Sequence, residues 1–324
     1  MSAFLCLAVI MIHITAVPST DLTWGSAAHT IIFAVNKALT FAVPGFIFLS
    51  GFKLYSKYGG QKMSTLKFFR GRLLKIVVPY LISVAVYFVC MFTVGWASFA
   101  KLPEYVFLGT LAAHFYYVVI AVQLYLLFPL LKWIFDKLPI TVTVISLAST
   151  VIFNQFYWFT YSDRFFATYL FYFVLGMLLS RYKIYLKTKL FGIISTAIAA
   201  IVGVWHFWTL YNAIATNVMY KWFGIANVLY VTLSIAALIS IFAWISKCDA
   251  VYKPASVLDG ASYEIYLYHL LAVTFIQSYV TPRLALSISE QFMLSFVVIY
   301  GLSFLWAYLK NKLITYKKNK KTAV

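Results

Sequence analysis

Along the chain, apolar residues come in long continuous blocks separated by short polar or basic stretches. A helix needs roughly 17 to 25 apolar residues to cross a bilayer core. By that measure the blocks predict transmembrane helices near 2–17, 31–52, 76–98, 114–135, 140–156, 164–180, 190–210, 222–245, 258–280 and 291–309. The expected fold class is all-α, a polytopic membrane helical bundle of about ten transmembrane helices.

Composition agrees. The 324 residues are 64% hydrophobic and 10% charged, with a mean hydropathy of +0.90, whereas soluble domains carry about 25% charged residues. A soluble fold is excluded, and no room is left for a separate soluble domain of ~100 residues. The chain divides into a transmembrane domain over 1–310 and a basic tail over 311–324.

Lys and Arg number 26 against 8 Asp and Glu, a formal charge of +18. In a soluble protein that excess would suggest nucleic acid. Here the cations sit between apolar blocks, so membrane lipid is the expected partner and nucleic acid is not. With ten spans, 21 of the 26 fall on the side of the two ends, which the positive-inside rule makes cytoplasmic. Tyr157, Trp158, Tyr161, Tyr211, Tyr220 and Trp222 read as an interfacial aromatic belt. Cys6, Cys90 and Cys248 show no CxxC spacing, so neither a disulfide framework nor a metal site is expected. The first block lacks a basic leader and a cleavage site, so it does not read as a removable signal peptide. It is also short, which suggests either a natural start upstream or a helix only partly embedded.

Polar side chains inside a span are costly unless they face a cavity or a partner, so they form the functional shortlist. It holds His13, Asn36, Lys37, His114, Gln123, His206, Asn227, Glu264 and His269. The first span runs outward, which puts His13 near its extracellular end. There it reads either as a general base or as an interfacial histidine. His269 lies about halfway along the ninth span. Glu264, five residues earlier, falls on a different helix face, so the two do not form an acid/base pair. His29 and His206, near span ends, read as structural, and Lys37 as a snorkelling cation. Arg70, Arg72 and Lys75 precede the third span, with Arg72 and Lys75 on one helix face. They read either as a membrane-edge anchor or as a grip on donor phosphates. ATPase, metalloprotease and serine-hydrolase motifs are absent.

Taken in order, Leu5 to His13, Pro44 to Phe52 with its Ser50-Gly51-Phe52 ending, Arg70 to Tyr80, His114 to Tyr117 followed by Gln123-Leu124-Tyr125, Phe173 to Gly176, and Ser262 to His269 resemble the integral-membrane acyltransferase family 3. Its members O-acylate bacterial surface sugars, and the resemblance extends over nearly the whole chain. It implies a multi-pass protein of a bacterial plasma membrane and an acyl-coenzyme A donor, acetyl or succinyl, held from the cytoplasmic side. No tightly bound cofactor and no metal are implied. A glycan acceptor would approach from outside, with homodimerisation left open. On this reading Arg70, Arg72 and Lys75 bind the donor, His13 and His269 are catalytic, and Ser50, His114, Gln123, Tyr125, Glu264 and Tyr266 are pocket candidates. His13 would deprotonate the sugar hydroxyl, with His269 or Gln123 orienting the acyl carbonyl. The family's Arg eleven residues before the first-helix histidine is Ser2 here, and Lys75 stands where the family often has Arg. Some relatives are described as exporters, so glycan translocation is the alternative function.

Overall fold

A computed structural model describes residues 1–156, 159–183, 189–216 and 224–322, and among these the secondary structure is helical, with no strand. Tyr157, Trp158, Tyr220 and Trp222 of the expected aromatic belt lie outside the described residues. The longer helices are α1 (Ser2–Ala16), α2 (Ala27–Ala38), α3 (Ala42–Tyr58), α4 (Thr65–Arg72), α5 (Val78–Thr93), α6 (Tyr116–Lys137), α7 (Pro139–Gln155), α8 (Leu170–Tyr182), α9 (Lys189–Ala215), α10 (Ile225–Ile245), α11 (Asp249–Phe275) and α12 (Ile288–Thr322). Helix is the form that satisfies every backbone donor and acceptor within one segment, as hydrocarbon requires.

Against the ten expected spans, seven stretches among the described residues are long and apolar enough to cross a membrane by length and composition. They are Ser2–Asp21, Ala27–Tyr58, Thr65–Thr93, Ala113–Lys137, Leu190–Ala215, Ile225–Ile245 and Ile288–Tyr316. Two shorter apolar helices, α7 and α8, cover the expected fifth and sixth spans. The expected ninth span falls on α11, which also carries Asp249, Lys253, Asp259 and Glu264. Large apolar side chains such as Ile193, Ile201, Val204 and Trp208 on α9 are exposed, as suits a surface facing lipid.

Two expected boundaries move. The sixth span begins at Leu170 rather than 164, because 162–168 folds into two 3-10 turns. Their backbone is held by Thr150 Oγ1 on the Ala167 carbonyl at 3.2 Å and Asn154 Nδ2 on the Thr168 carbonyl at 3.0 Å. The third span ends at Thr93, and Gly95 supplies the positive φ (78°) of the turn that follows. A π-turn, Leu73–Val77, separates α4 from α5, and a second, Ile276–Val280, follows α11.

The chain forms two compact units, Met1–Ala42 with Ile241–Val324, and Val43–Ser240. In the first, α1 packs on α2, α11 and α12, and α11 on α12. Leu5, Ile10, Ile14 and Leu267 are fully buried there. Polar ties fix the register: the Ala3 N–H, an otherwise orphaned donor of the first helical turn, reaches Asp259 Oδ1 at 2.6 Å. The Tyr300 hydroxyl donates to the Leu7 carbonyl at 2.8 Å.

In the second unit, α7 packs on α6 and α8, and α4 on α6. Helices α3 and α8 approach closely enough that a Cβ at Gly51 would collide with the Phe173 carbonyl, and one at Gly176 with the Phe48 carbonyl. Small residues that let backbones meet are the usual device of helix association in lipid, where no hydrophobic effect drives helices together.

Candidate functional site

In the first unit, α1 and α11 bring His13 and His269 together, with ring centroids 5.2 Å apart. His269 is buried and His13 half-buried. The Tyr266 ring, one turn before His269 and also buried, lies 5.9 Å from it. His269 Nδ1 is 2.7 Å from the Tyr266 carbonyl and 3.2 Å from that of Ile265. A carbonyl oxygen only accepts, so Nδ1 carries a proton, and a neutral ring in this tautomer has its lone pair at Nε2.

The C-terminal end of α1 is held beside this pair by Asn36 of α2. Its Nδ2 donates to the Ile12 carbonyl and to Thr15 Oγ1, each at 2.9 Å, and so brackets His13 in sequence. The Lys37 ammonium donates to Asn36 Oδ1 at 3.0 Å and lies over the Phe33 ring. His29 is buried between Trp24 and Phe33, and its backbone N–H is capped by Ser26. Glu264 is ion-paired with Lys310 of α12 at 2.6 Å, apart from His269, in keeping with the five-residue offset. The family position occupied here by Ser2 is buried.

In the second unit, the basic segment divides. The expected common face of Arg72 and Lys75 is not formed, because Arg72 ends α4 and Lys75 lies within the π-turn, where α-helical spacing no longer aligns side chains. Arg70 and Lys75 are exposed. The Arg72 guanidinium turns inward, 5.8 Å from the Phe68 ring centroid and 5.6 Å from that of Tyr125 on α6. Its Nε is buried with no hydrogen-bond partner among the described residues. The Tyr125 hydroxyl is 3.3 Å from Ser50 Oγ on α3, which itself donates to the Phe46 carbonyl at 3.0 Å. Arg72, Tyr125 and Ser50 therefore form one connected polar group within the bundle, able to receive an anion or a carbonyl oxygen.

One candidate is otherwise engaged. The Gln123 amide is committed at both ends, donating to the Arg164 carbonyl at 2.8 Å and accepting from the Phe166 N–H at 3.0 Å. It clamps the 3-10 turns rather than orienting a substrate carbonyl. His114 lies within the fourth apolar stretch, as expected, in a 3-10 turn (Ala113–Phe115) that leads into α6, buried against Tyr87 and Phe115. The sequence reading missed Asn36 as a positioning group and the polar cluster of Tyr55, Asp136 and Arg181. Arg181, the cation of that cluster, reads in the sequence only as a charge that orients helices.

A family model described as an acyltransferase domain matches residues 2–312, nearly the whole chain. No curated protein and no solved structure matches the chain.

Proposed function

Because the chain belongs to the acyltransferase family matched over residues 2–312, we propose that this membrane acyltransferase moves an acetyl or succinyl group from an acyl-coenzyme A donor to a hydroxyl of a cell-surface or exopolysaccharide sugar. It does so from a bacterial plasma membrane, crossed about ten times with both ends in the cytoplasm. The observation that carries the reading is the histidine pair, two imidazoles 5.2 Å apart, one of them on the strongly apolar helix α1. Intramembrane ionisable groups are costly, and their pairing points to proton transfer.

In the step, His13 accepts the proton of the acceptor hydroxyl as its oxygen attacks the thioester carbonyl. The carbon–sulfur bond then breaks, and the coenzyme A thiolate leaves and takes up the proton. His269, with its lone pair at Nε2, accepts from the His13 side and holds that ring in orientation. Arg72, stacked on Tyr125 and joined through it to Ser50, binds the donor, and exposed Arg70 and Lys75 attract its phosphates. The thioester is reactive enough that positioning and one base suffice.

Mass spectrometry of surface glycans tests this. Cells lacking the gene, or carrying His13→Ala, are expected to lose one acyl mass from a sugar residue while glycan still reaches the surface. Loss of the glycan itself would replace transfer by export.

A further inference from the structure

In the second unit, a cavity of about 370 Å³ opens where α3, α6 and α8 end. Its walls are Tyr55, Ser56, Gly59 and Gly60 from the end of α3, Asp136 from α6, and Ser180 and Arg181 from α8. That volume lies within the range of about 300 to 1,000 Å³ usual for small-molecule sites.

Its polar groups are arranged by the protein rather than scattered. Asp136 accepts from the Tyr55 hydroxyl at 2.7 Å through one oxygen and pairs with Lys132 at 2.7 Å through the other. Lys132 therefore balances the acidic group of the wall. Arg181 donates through Nη1 to the carbonyls of Phe135 and Asp136, each at 3.0 Å, which fixes the guanidinium at the rim. Those two bonds engage one nitrogen of a group with five N–H donors, the guanidinium also lies within hydrogen-bonding reach of the Tyr55 hydroxyl, and no carboxylate among the described residues is ion-paired with it. The site as a whole keeps the positive charge of Arg181. Ser56 and Ser180 face each other at 2.8 Å, a hydroxyl pair that can turn to a ligand.

The backbone keeps the cavity open. Gly59 lies so close to the Tyr55 ring that an added Cβ would sit 2.6 Å from it. Gly60 takes a left-handed conformation (φ 64°), and an added Cβ there would meet nothing within 4 Å.

The cavity also has a fixed distance to the inner polar group. Asp136 is eleven residues after Tyr125 on α6, a separation of about 16 Å at 1.5 Å per residue. That is of the same order as an extended pantetheine arm. Coenzyme A carries two separate anionic groups, a diphosphate and a 3′-phosphate, so a cation outside the basic segment has a group of its own to bind.

We infer that this cavity receives the nucleotide end of the donor, with the 3′-phosphate on Arg181 and the pantetheine arm running along α6 toward Tyr125 and Ser50. The inference rests on the acyl-coenzyme A reading above and adds a second, independent contact for that donor. Arg181 binds a phosphate monoester by its planar fork, and the serine hydroxyls serve the ribose or the base.

The full chain in lipid nanodiscs is titrated with coenzyme A and with 3′-dephospho-coenzyme A. The wild type is expected to prefer coenzyme A. Arg181→Gln should weaken coenzyme A roughly 10- to 100-fold, the loss of a charge-assisted contact, while barely affecting the dephospho form. Arg181→Lys should fall between. Ser180→Leu, which leaves Arg181 in place and fills the cavity, should weaken both ligands, and it keeps the test valid if Arg181→Gln proves unstable. Equal affinities for the two ligands in the wild type, or an unchanged preference in Arg181→Gln, would overturn the cavity assignment and leave the donor reading standing. A wild type that binds neither ligand would overturn both. If native mass spectrometry shows that Arg181→Gln releases a bound phosphatidylglycerol and leaves both titrations unchanged, the cavity is a lipid headgroup site and the inference is wrong.

Discussion

The ring of His269 lies 5.2 Å from that of His13, and its Nδ1–H is held by the Tyr266 carbonyl. This arrangement fixes which nitrogen is basic, and it separates the two histidines by role. Substituting His13 by Ala or Gln is expected to lower acyl transfer by about 10² to 10⁴, the usual contribution of a general base. Gln keeps hydrogen bonding but accepts no proton, so a Gln variant with near-normal turnover would make His13 structural. Coenzyme A binding and membrane insertion are measured alongside and should be unchanged.

His269→Asn is the sharper substitution at the second ring. The Asn amide can still donate where Nδ1 does, toward the Tyr266 carbonyl, but offers no base where Nε2 lies. If His269 acts through its lone pair, Asn should lower turnover with little change in thermal stability. Full activity would reduce His269 to a packing residue.

Arg72→Lys keeps the charge and removes both the fork and the planar stacking on Phe68 and Tyr125. Donor affinity should fall by roughly 1.5 to 3 kcal/mol. Lys75→Arg, at an exposed position of the π-turn, should be silent. Titration of coenzyme A reads both, and unchanged affinity in Arg72→Ala would remove Arg72 from the donor site.

Gly51→Ala and Gly176→Ala each place a methyl into a facing backbone carbonyl. The backbone cannot move aside as a flexible side chain would, so each should cost at least the ~1 to 3 kcal/mol typical of overpacking. Thermal unfolding in detergent should show a clear loss. A neutral Gly51→Ala would mean that α3 and α8 can part without penalty.

The topology rests on the partition of 21 of the 26 basic residues. Reporter fusions after Lys189 and at the C-terminus should both report cytoplasm. An extracellular C-terminus would remove one crossing and place His13 on the wrong side for an external acceptor.

Helix positions were legible because lipid imposes one rule on every block: long apolar runs became helices, and α1, α6 and α10 lie close to where hydropathy placed them. The shortlist of buried polar residues contained His13, His269 and Asn36 for the same reason. Pairing was not legible, since nothing in the spacing of residues 13 and 269 says that α1 packs on α11. Nor was the inward turn of Arg72, which depends on a π-turn that leaves no mark in residue type. Gly51 and Gly176 belonged to quoted motifs, yet only the meeting of α3 with α8 gives them a reason. Arg181 was hidden by its charge, because every cation near a membrane edge satisfies the topology rule whether or not it also binds something.

The π-turn at Leu73–Val77 has a genetic consequence. A π-turn is one residue more than an α-helix needs, so deleting a single residue there, Leu74 for instance, would let α4 run into α5 as one continuous α-helix without breaking any apolar face. The π-turn absorbs its extra residue by unwinding, so α4 and α5 would keep their phase across the deletion. Tyr80, whose hydroxyl donates to the carbonyls of Tyr105 and Val106, would keep both partners. A one-codon deletion in this turn should therefore yield a protein that inserts and folds, whereas the same deletion between Tyr80 and Tyr87, where no wide turn absorbs it, would rotate everything beyond by about 100°.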